Sequence, residues 1–187
     1  MEPKGYMPYF EEPKIMAEID IRGRFMMMAC DIEWSMLNII IYSTTDPNNH
    51  HRVNQFKGMM MNEKIQCLIC DLKKYHSKLY DEYKENIDML MEFKEVRNDM
   101  GHYRLDFEDD TLKSFKMPYI GEENGELRVL WKKYTIEQMK DIVTRFRKAN
   151  IKLMELVAKL HEQYNTALTI SKLSANFTVG GSFDQQP

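Results

Sequence analysis

The sequence predicts an all-α protein: a four-to-five helix up-and-down bundle with a small β-hairpin inserted before the last long helix. Three observations predict it. Apolar residues recur at threes, fours and sevens through most of the chain, the spacing of one helix face. A stretch near period two, about residues 104–134, is interrupted by Asn124-Gly125, a strong two-residue hairpin signal. Directly after it, Thr135 and Gln138 stand at the spacing of a capping box that opens a helix.

Pro3, Pro8 and Pro13 mark residues 1–12 as an irregular arm. From Ile15 to about Tyr42 the positions Ile15, Ile19, Met26, Ala29, Met36 and Ile40 keep helix spacing. The segment from Ser43 to His51, with Asp46-Pro47 and Asn48-Asn49, reads as a loop. A second helix places Met61, Ile65, Leu68, Ile69 and Leu72 on one side, and a third runs from about Lys78 to Met100. Gly101 is suited to end that helix as a left-handed cap. The runs Leu112–Tyr119 and Glu126–Tyr134 are the β-formers of the hairpin. The last helix carries the core stripe Ile142, Phe146, Ala149, Leu153, Leu156, Val157 and Leu160. Beyond Thr166 the residues turn small and polar, which predicts a flexible tail over 166–187. The domain expected between arm and tail is a single one, residues 13–165, since 187 residues suffice for one good core.

Composition excludes several classes. With 29% charged and 43% apolar residues the chain reads as globular rather than disordered. No run of eighteen apolar residues occurs, so neither a membrane span nor a signal peptide is expected. Three cysteines (Cys30, Cys67, Cys70) make no disulfide framework and point to the cytoplasm. Cys67 and Cys70 lie in an apolar run without further ligands at zinc spacing, so they read as buried thiols and no metal is expected. His76 and His161 stand alone on polar helix surfaces. No glycine-rich phosphate loop is present, and no cofactor is expected. The sixteen methionines, with Met26-Met27-Met28 and Met59-Met60-Met61, read as core filler, with a helix-mediated dimer seam as a weaker reading.

Net charge is −3, but residues 132–160 hold eight Lys or Arg against three acids, +5 there and −8 elsewhere. A solvated face of mixed charge is the first reading of this run, and a polyanion-binding surface the second.

The residues that carry chemistry are Arg97-Asn98-Asp99-Met100-Gly101-His102. Arg grips phosphate oxygens, and His trades protons near neutral pH. On a helix Asn98 and His102 lie about 40° apart, whereas Arg97 and His102 lie about 140° apart. Convergence therefore requires either a break at Gly101 or a second copy of the motif across a dimer axis. A structural role is also open, with Arg97 and His102 capping the helix end and pairing with Asp106 or Glu108.

Glu95-Val96-Arg97-Asn98-Asp99-Met100-Gly101-His102 resembles the Arg-x(4–6)-His signature of the HEPN superfamily, in which a polar residue often follows the Arg. The order of helices over residues 13–165 is similar too, including Asp31-Ile32-Glu33 on the first. The resemblance implies an all-α bundle, a homodimer and a metal-independent endoribonuclease acting in defence or stress response. It implies Arg97, Asn98 and His102 as catalytic residues of a composite cleft. RNA would be the substrate, and an antitoxin or other protein a further partner. Tyr103, Arg104, Lys132, Lys133 and Glu33 are the accompanying candidates for substrate binding. The alternative is a non-catalytic HEPN-like module that binds a nucleotide or a protein.

Overall fold

Helix starts and turns follow local chemistry closely. The computed structural model describes residues 13–46, 49–108 and 110–179, so the arm over 1–12 and the end of the tail from Gly180 lie outside the described residues. The elements are α1 (Pro13–Tyr42), α2 (Asn49–Gly58), α3 (Met61–Tyr75), α4 (Ser77–His102), β1 (Asp106–Phe107), β2 (Ser114–Glu123), β3 (Glu126–Thr135) and α5 (Ile136–Val179). The fold is thus mainly helical with one small antiparallel sheet, ordered β1-β2-β3.

Proline opens α1 at its first turn, where a missing N–H costs nothing. Asn124 and Gly125 both take positive φ (56° and 80°), as a two-residue hairpin turn requires. Thr135 and Gln138 form the predicted box: the Gln138 N–H donates to Thr135 Oγ1 at 3.1 Å and the Thr135 N–H to Gln138 Oε1 at 2.8 Å.

The chain divides into two compact units. The first combines α1 up to Asp31 with Met89–Ala149; the second combines Ile32–Asp88 with the chain from Asn150 onward. The reason is helix length: α1, α4 and α5 each give one end to one core and the other end to the second core.

In the first unit Phe25, Phe93 and Phe146 meet, with ring centroids 5.5–6.5 Å apart. These rings come from α1, α4 and α5 and are essentially inaccessible to solvent. The inner face of the sheet adds Phe115 and Met117, with Phe107 edge-on to Phe115 at 5.8 Å. The outer face stays bare. Ile120, Leu127, Val129 and Trp131 are each more than half exposed, and the register sets Ile120 opposite Val129 and Trp131 opposite Pro118.

In the second unit α3 buries Met61, Ile65, Leu68 and Leu72, as its spacing predicts. Ile32, Met36, Ile39 and Ile40 of α1 and Leu153, Leu156 and Leu160 of α5 are also buried here. Asn49 to His51 belong to α2 rather than to a loop. Asn49 donates to the Ile41 carbonyl at 2.9 Å at the end of α1, and Phe56 is the buried anchor of α2. Its neighbour Arg52 pairs with the buried carboxylate of Asp71, to which Ser43 Oγ also donates at 3.5 Å.

Other expectations are corrected. Cys70 is exposed and Cys67 only half-buried, because the apolar stripe of α3 passes to one side of both. Burial pushes the Cys67 thiol up, with the charge of Asp71 adding to it. His76 is not isolated: it sits between α3 and α4 with Nε2 2.8 Å from the Ser43 carbonyl. His161 packs its ring 4.7 Å from that of Tyr42. Helix α5 continues past Thr166 to Val179, since the segment has no Gly or Pro to stop it and Thr166 and Thr169 bond back to carbonyls four residues earlier. Each methionine triplet places its last member inside (Met28, Met61) and its middle member outside (Met27, Met60). Among the described helices α1 has the length and composition to cross a membrane, but 44% of its apolar window is buried within the protein.

Because the Phe93 ring is fully enclosed by two others, Phe93→Ala should cost about 3–5 kcal/mol. A urea unfolding series would show this as a fall in midpoint at unchanged slope. A loss below about 1 kcal/mol would mean that this core is not close-packed.

Candidate functional site

The motif occupies the last two turns of α4, which remains helical through Gly101 to His102. Gly101 is not a left-handed cap: it has no positive φ, and the Tyr103 N–H still donates to the Asp99 carbonyl at 3.0 Å. The cause lies on α1. The Arg22 guanidinium donates to the carbonyls of Met100 and Tyr103, the orphan acceptors of the helix end, and places a cation at the negative pole of the helix. Arg22 is itself oriented by Glu18, whose Oε1 accepts from Arg22 Nε at 2.9 Å and from the Leu105 N–H at 3.1 Å. Neither Glu18 nor Arg22 was identifiable as a site residue from sequence. Their four-residue spacing shows that they can pair, but nothing local shows a reach across about eighty residues.

An unbroken helix has a geometric consequence. Asn98 and His102 share a face about 40° wide, and Arg97 projects about 140° from His102. Arg97 and Asn98 are half-buried, whereas His102 is exposed. One chain therefore brings Asn98 and His102 together and leaves Arg97 apart from His102. Capping of the helix end, one alternative for the motif, is performed by Arg22 instead. Glu108, a suggested partner of that alternative, is held by Lys116 (3.0 Å), Lys133 (2.5 Å) and Ser114 Oγ (2.9 Å).

The remaining candidates are placed as follows. Lys132 Nζ lies 2.6 Å from the buried Asp99 carboxylate and 4.9 Å from the centre of the Tyr119 ring. Burial alone would lower the Lys132 ammonium, but the hydrogen bond and charge of Asp99 outweigh it and raise its pKa. Burial likewise raises the Tyr134 phenol, which Lys132 opposes and Asp99 reinforces. Lys133 is taken up by Glu108. Arg104 lies 3.8 Å from Glu18 and lines an open cleft of about 380 Å³ with Lys14, Leu105, Pro118 and Trp131. Tyr103 contributes its carbonyl to Arg22, and its side chain is half-buried. Glu33 belongs to the second unit and pairs there with Lys64 at 3.2 Å. Among the described residues no three His, Cys, Asp or Glu side chains gather to hold a metal ion.

Most of the basic run is neutralised in pairs. Besides Lys132 and Lys133, Arg145 pairs with Glu92, Lys152 with Glu155 and Lys159 with Glu82. Lys140, Arg147 and Lys148 make no salt bridge among the described residues. The mixed-charge reading of the run therefore describes five of its eight cations.

No family model, no curated protein and no solved structure matches the chain.

Two outcomes follow. Lys132→Met leaves a buried carboxylate without its cation and should destabilise by about 1–3 kcal/mol, below the fully buried case because Lys132 is partly exposed. The double variant Lys132→Met/Asp99→Leu should recover most of that loss in the same denaturation assay. The hydrogen bonds from Lys133, then Lys116 and Ser114, lower the Glu108 carboxyl from 4.5 to about 2. A depressed carboxylate contributes stability that is complete above its unfolded pKa and lost as pH falls through the folded one. That contribution should therefore disappear between about pH 4.5 and pH 2, and an NMR titration of the Glu108 carboxyl carbon should have its midpoint near 2. A midpoint near 4.5 would show the cluster absent in solution.

Proposed function

We propose that the chain is a metal-independent endoribonuclease of HEPN type, acting as a homodimer in which two copies of Arg97, Asn98 and His102 line one cleft. The observation that carries this reading is the placement of an exposed His102 and an Asn98 on one face of a helix end held rigid by Arg22. Arg97 lies more than a third of a turn away. A second copy is what could supply the guanidinium that the same chain turns elsewhere.

The chemistry needs no more than these groups. His102 accepts the proton of a ribose 2′-OH as its oxygen attacks the adjacent phosphorus. The bond from phosphorus to the 5′-oxygen breaks, and His102 of the partner subunit protonates that leaving oxygen. The products are a 2′,3′-cyclic phosphate and a 5′-OH. Arg97 neutralises charge on the non-bridging oxygens. Asn98, four residues before His102, can orient the imidazole or donate to phosphate. Trp131 and Arg104, which line one cleft, offer a stacking face and a cation to a nucleotide. The apolar outer face of the hairpin, with Ile120, Leu127 and Val129 exposed, offers a surface for the second copy.

A second reading is favoured by the charge distribution. RNA affinity comes mostly from phosphate contacts, and five of the eight cations between residues 132 and 160 are already paired with acids. On that reading the same end of α4 belongs to a HEPN-like module that binds a nucleotide or protein without cleaving it.

Incubation of the purified protein with single-stranded and structured RNAs in EDTA separates the two. Cleavage is expected, falling at least about 100-fold in His102→Ala and Arg97→Ala with helical content retained. Mass spectrometry should find cyclic phosphate on the upstream products. RNA that is bound but left intact by the wild type would establish the module instead. Sedimentation at micromolar protein should show a dimer, and Ile120→Asp/Val129→Asp should give a monomer that no longer cleaves. A wild-type monomer that cleaves RNA would eliminate the composite cleft.

A further inference from the structure

The basic run leaves two cations at one place. Lys140 and Arg147 are seven residues apart on α5, two turns on one face, with Thr144 between them. They rim an open cleft of about 670 Å³ between the start of α5 and the stretch of α1 that carries Asp20, Ile21 and Arg24, a volume within the usual range of small-molecule sites. The floor is apolar, made by Ile21 of α1 and Met139 and Val143 of α5. On the α1 side Arg24 completes the rim, held 2.8 Å from Asp20, so those two charges cancel. What remains is +2, from Lys140 and Arg147. Five other cations of the same run have acidic partners, three of them on α5, whereas among the described residues these two make no salt bridge. The cleft opens beside the N-terminal turn of α5, whose dipole adds to the positive potential.

We propose that this cleft binds a phosphate monoester carried on a planar or apolar body. The charge argument selects the head: a phosphate dianion matches +2, and a guanidinium fork with an ammonium is the side-chain set that grips such an anion. The floor selects the body, since Ile21, Met139 and Val143 offer no hydrogen bond and gain only from apolar cover. The apolar floor favours a small molecule with an apolar body over a nucleic-acid backbone, which takes its affinity mainly from phosphate contacts along a surface groove. This site lies apart from Arg97 and His102 in sequence and chemistry and does not depend on the endoribonuclease reading.

The test uses the full chain and isothermal titration with 4-methylumbelliferyl phosphate. Inorganic phosphate, 4-methylumbelliferone and a single-stranded RNA oligomer serve as separate titrants. The phosphate ester should bind at least about ten-fold more tightly than phosphate or the bare ring, because head and floor each contribute. Arg147→Gln should weaken it about ten-fold, the loss of a charge-assisted contact, and Lys140→Glu/Arg147→Glu should abolish it. Val143→Phe, which fills the floor without changing charge, should also weaken the ester while leaving helical content intact. RNA cleavage, if present, should be unchanged in Arg147→Gln. No binding of the ester at millimolar concentration, equal binding of the bare ring, or equal affinity in the charge variants would each overturn the proposal. Binding of RNA but not the ester, lost in the same variants, would overturn it in favour of a nucleic-acid surface.

Discussion

The seat of Arg22 on the last carbonyls of α4 is the contact on which the arrangement of the motif depends. A helix C-terminus leaves four acceptors unsatisfied, and a glycine in its last turn is a natural place to unwind. A forked cation from another helix satisfies those acceptors and removes the reason to unwind. Glu18 completes the device by fixing the Arg22 fork and accepting the Leu105 N–H, so the chain leaves the helix in one direction. Everything about the candidate site follows from this stiffness. The splay between Arg97 and His102 becomes a property of the folded chain, and a composite cleft becomes a requirement of the proposed catalysis.

Charge in this protein is organised by pairing across elements. The run from Lys132 to Lys159 looks like a basic patch in one dimension. In three dimensions Asp99, Glu108, Glu92 and Glu82 reach it from other parts of the chain. Exposed pairs of this kind add little stability, but they remove positive potential from the surface. The consequence for function is selective: a broad polyanion surface is reduced to a few cations, and Lys140 and Arg147 gain meaning because they make no salt bridge among the described residues. Asp99 is the exception in energetic terms. It is buried, so its pairing with Lys132 ties the root of β3 to the motif-bearing turn rather than merely neutralising a surface charge.

Much of the architecture was legible from local chemistry. The Asn124-Gly125 turn, the Thr135–Gln138 box and the stripes of α3 and α5 depend on residues within a few positions of each other. Features that failed depend on distant partners. Helix α2 has a single buried residue, Phe56, and its Arg52 is matched by Asp71 nineteen residues on, so its sequence reads as loop. Cys70 was expected inside because its neighbours are apolar, yet the buried stripe of α3 bypasses it. The polar residues after Thr166 read as tail because composition says little about a helix already nucleated and free of breakers.

For the candidate site the division is the same. The sequence by itself determined which side chains are available, Arg97, Asn98 and His102, and that a continuous helix would hold the first and last about 140° apart. Only the tertiary structure decided that the helix is continuous, because Arg22 and Glu18 lie far away in the chain and act through space. Helical phase is a local property of the backbone. The stability of a helix end is set by whatever donors the fold brings to its last carbonyls.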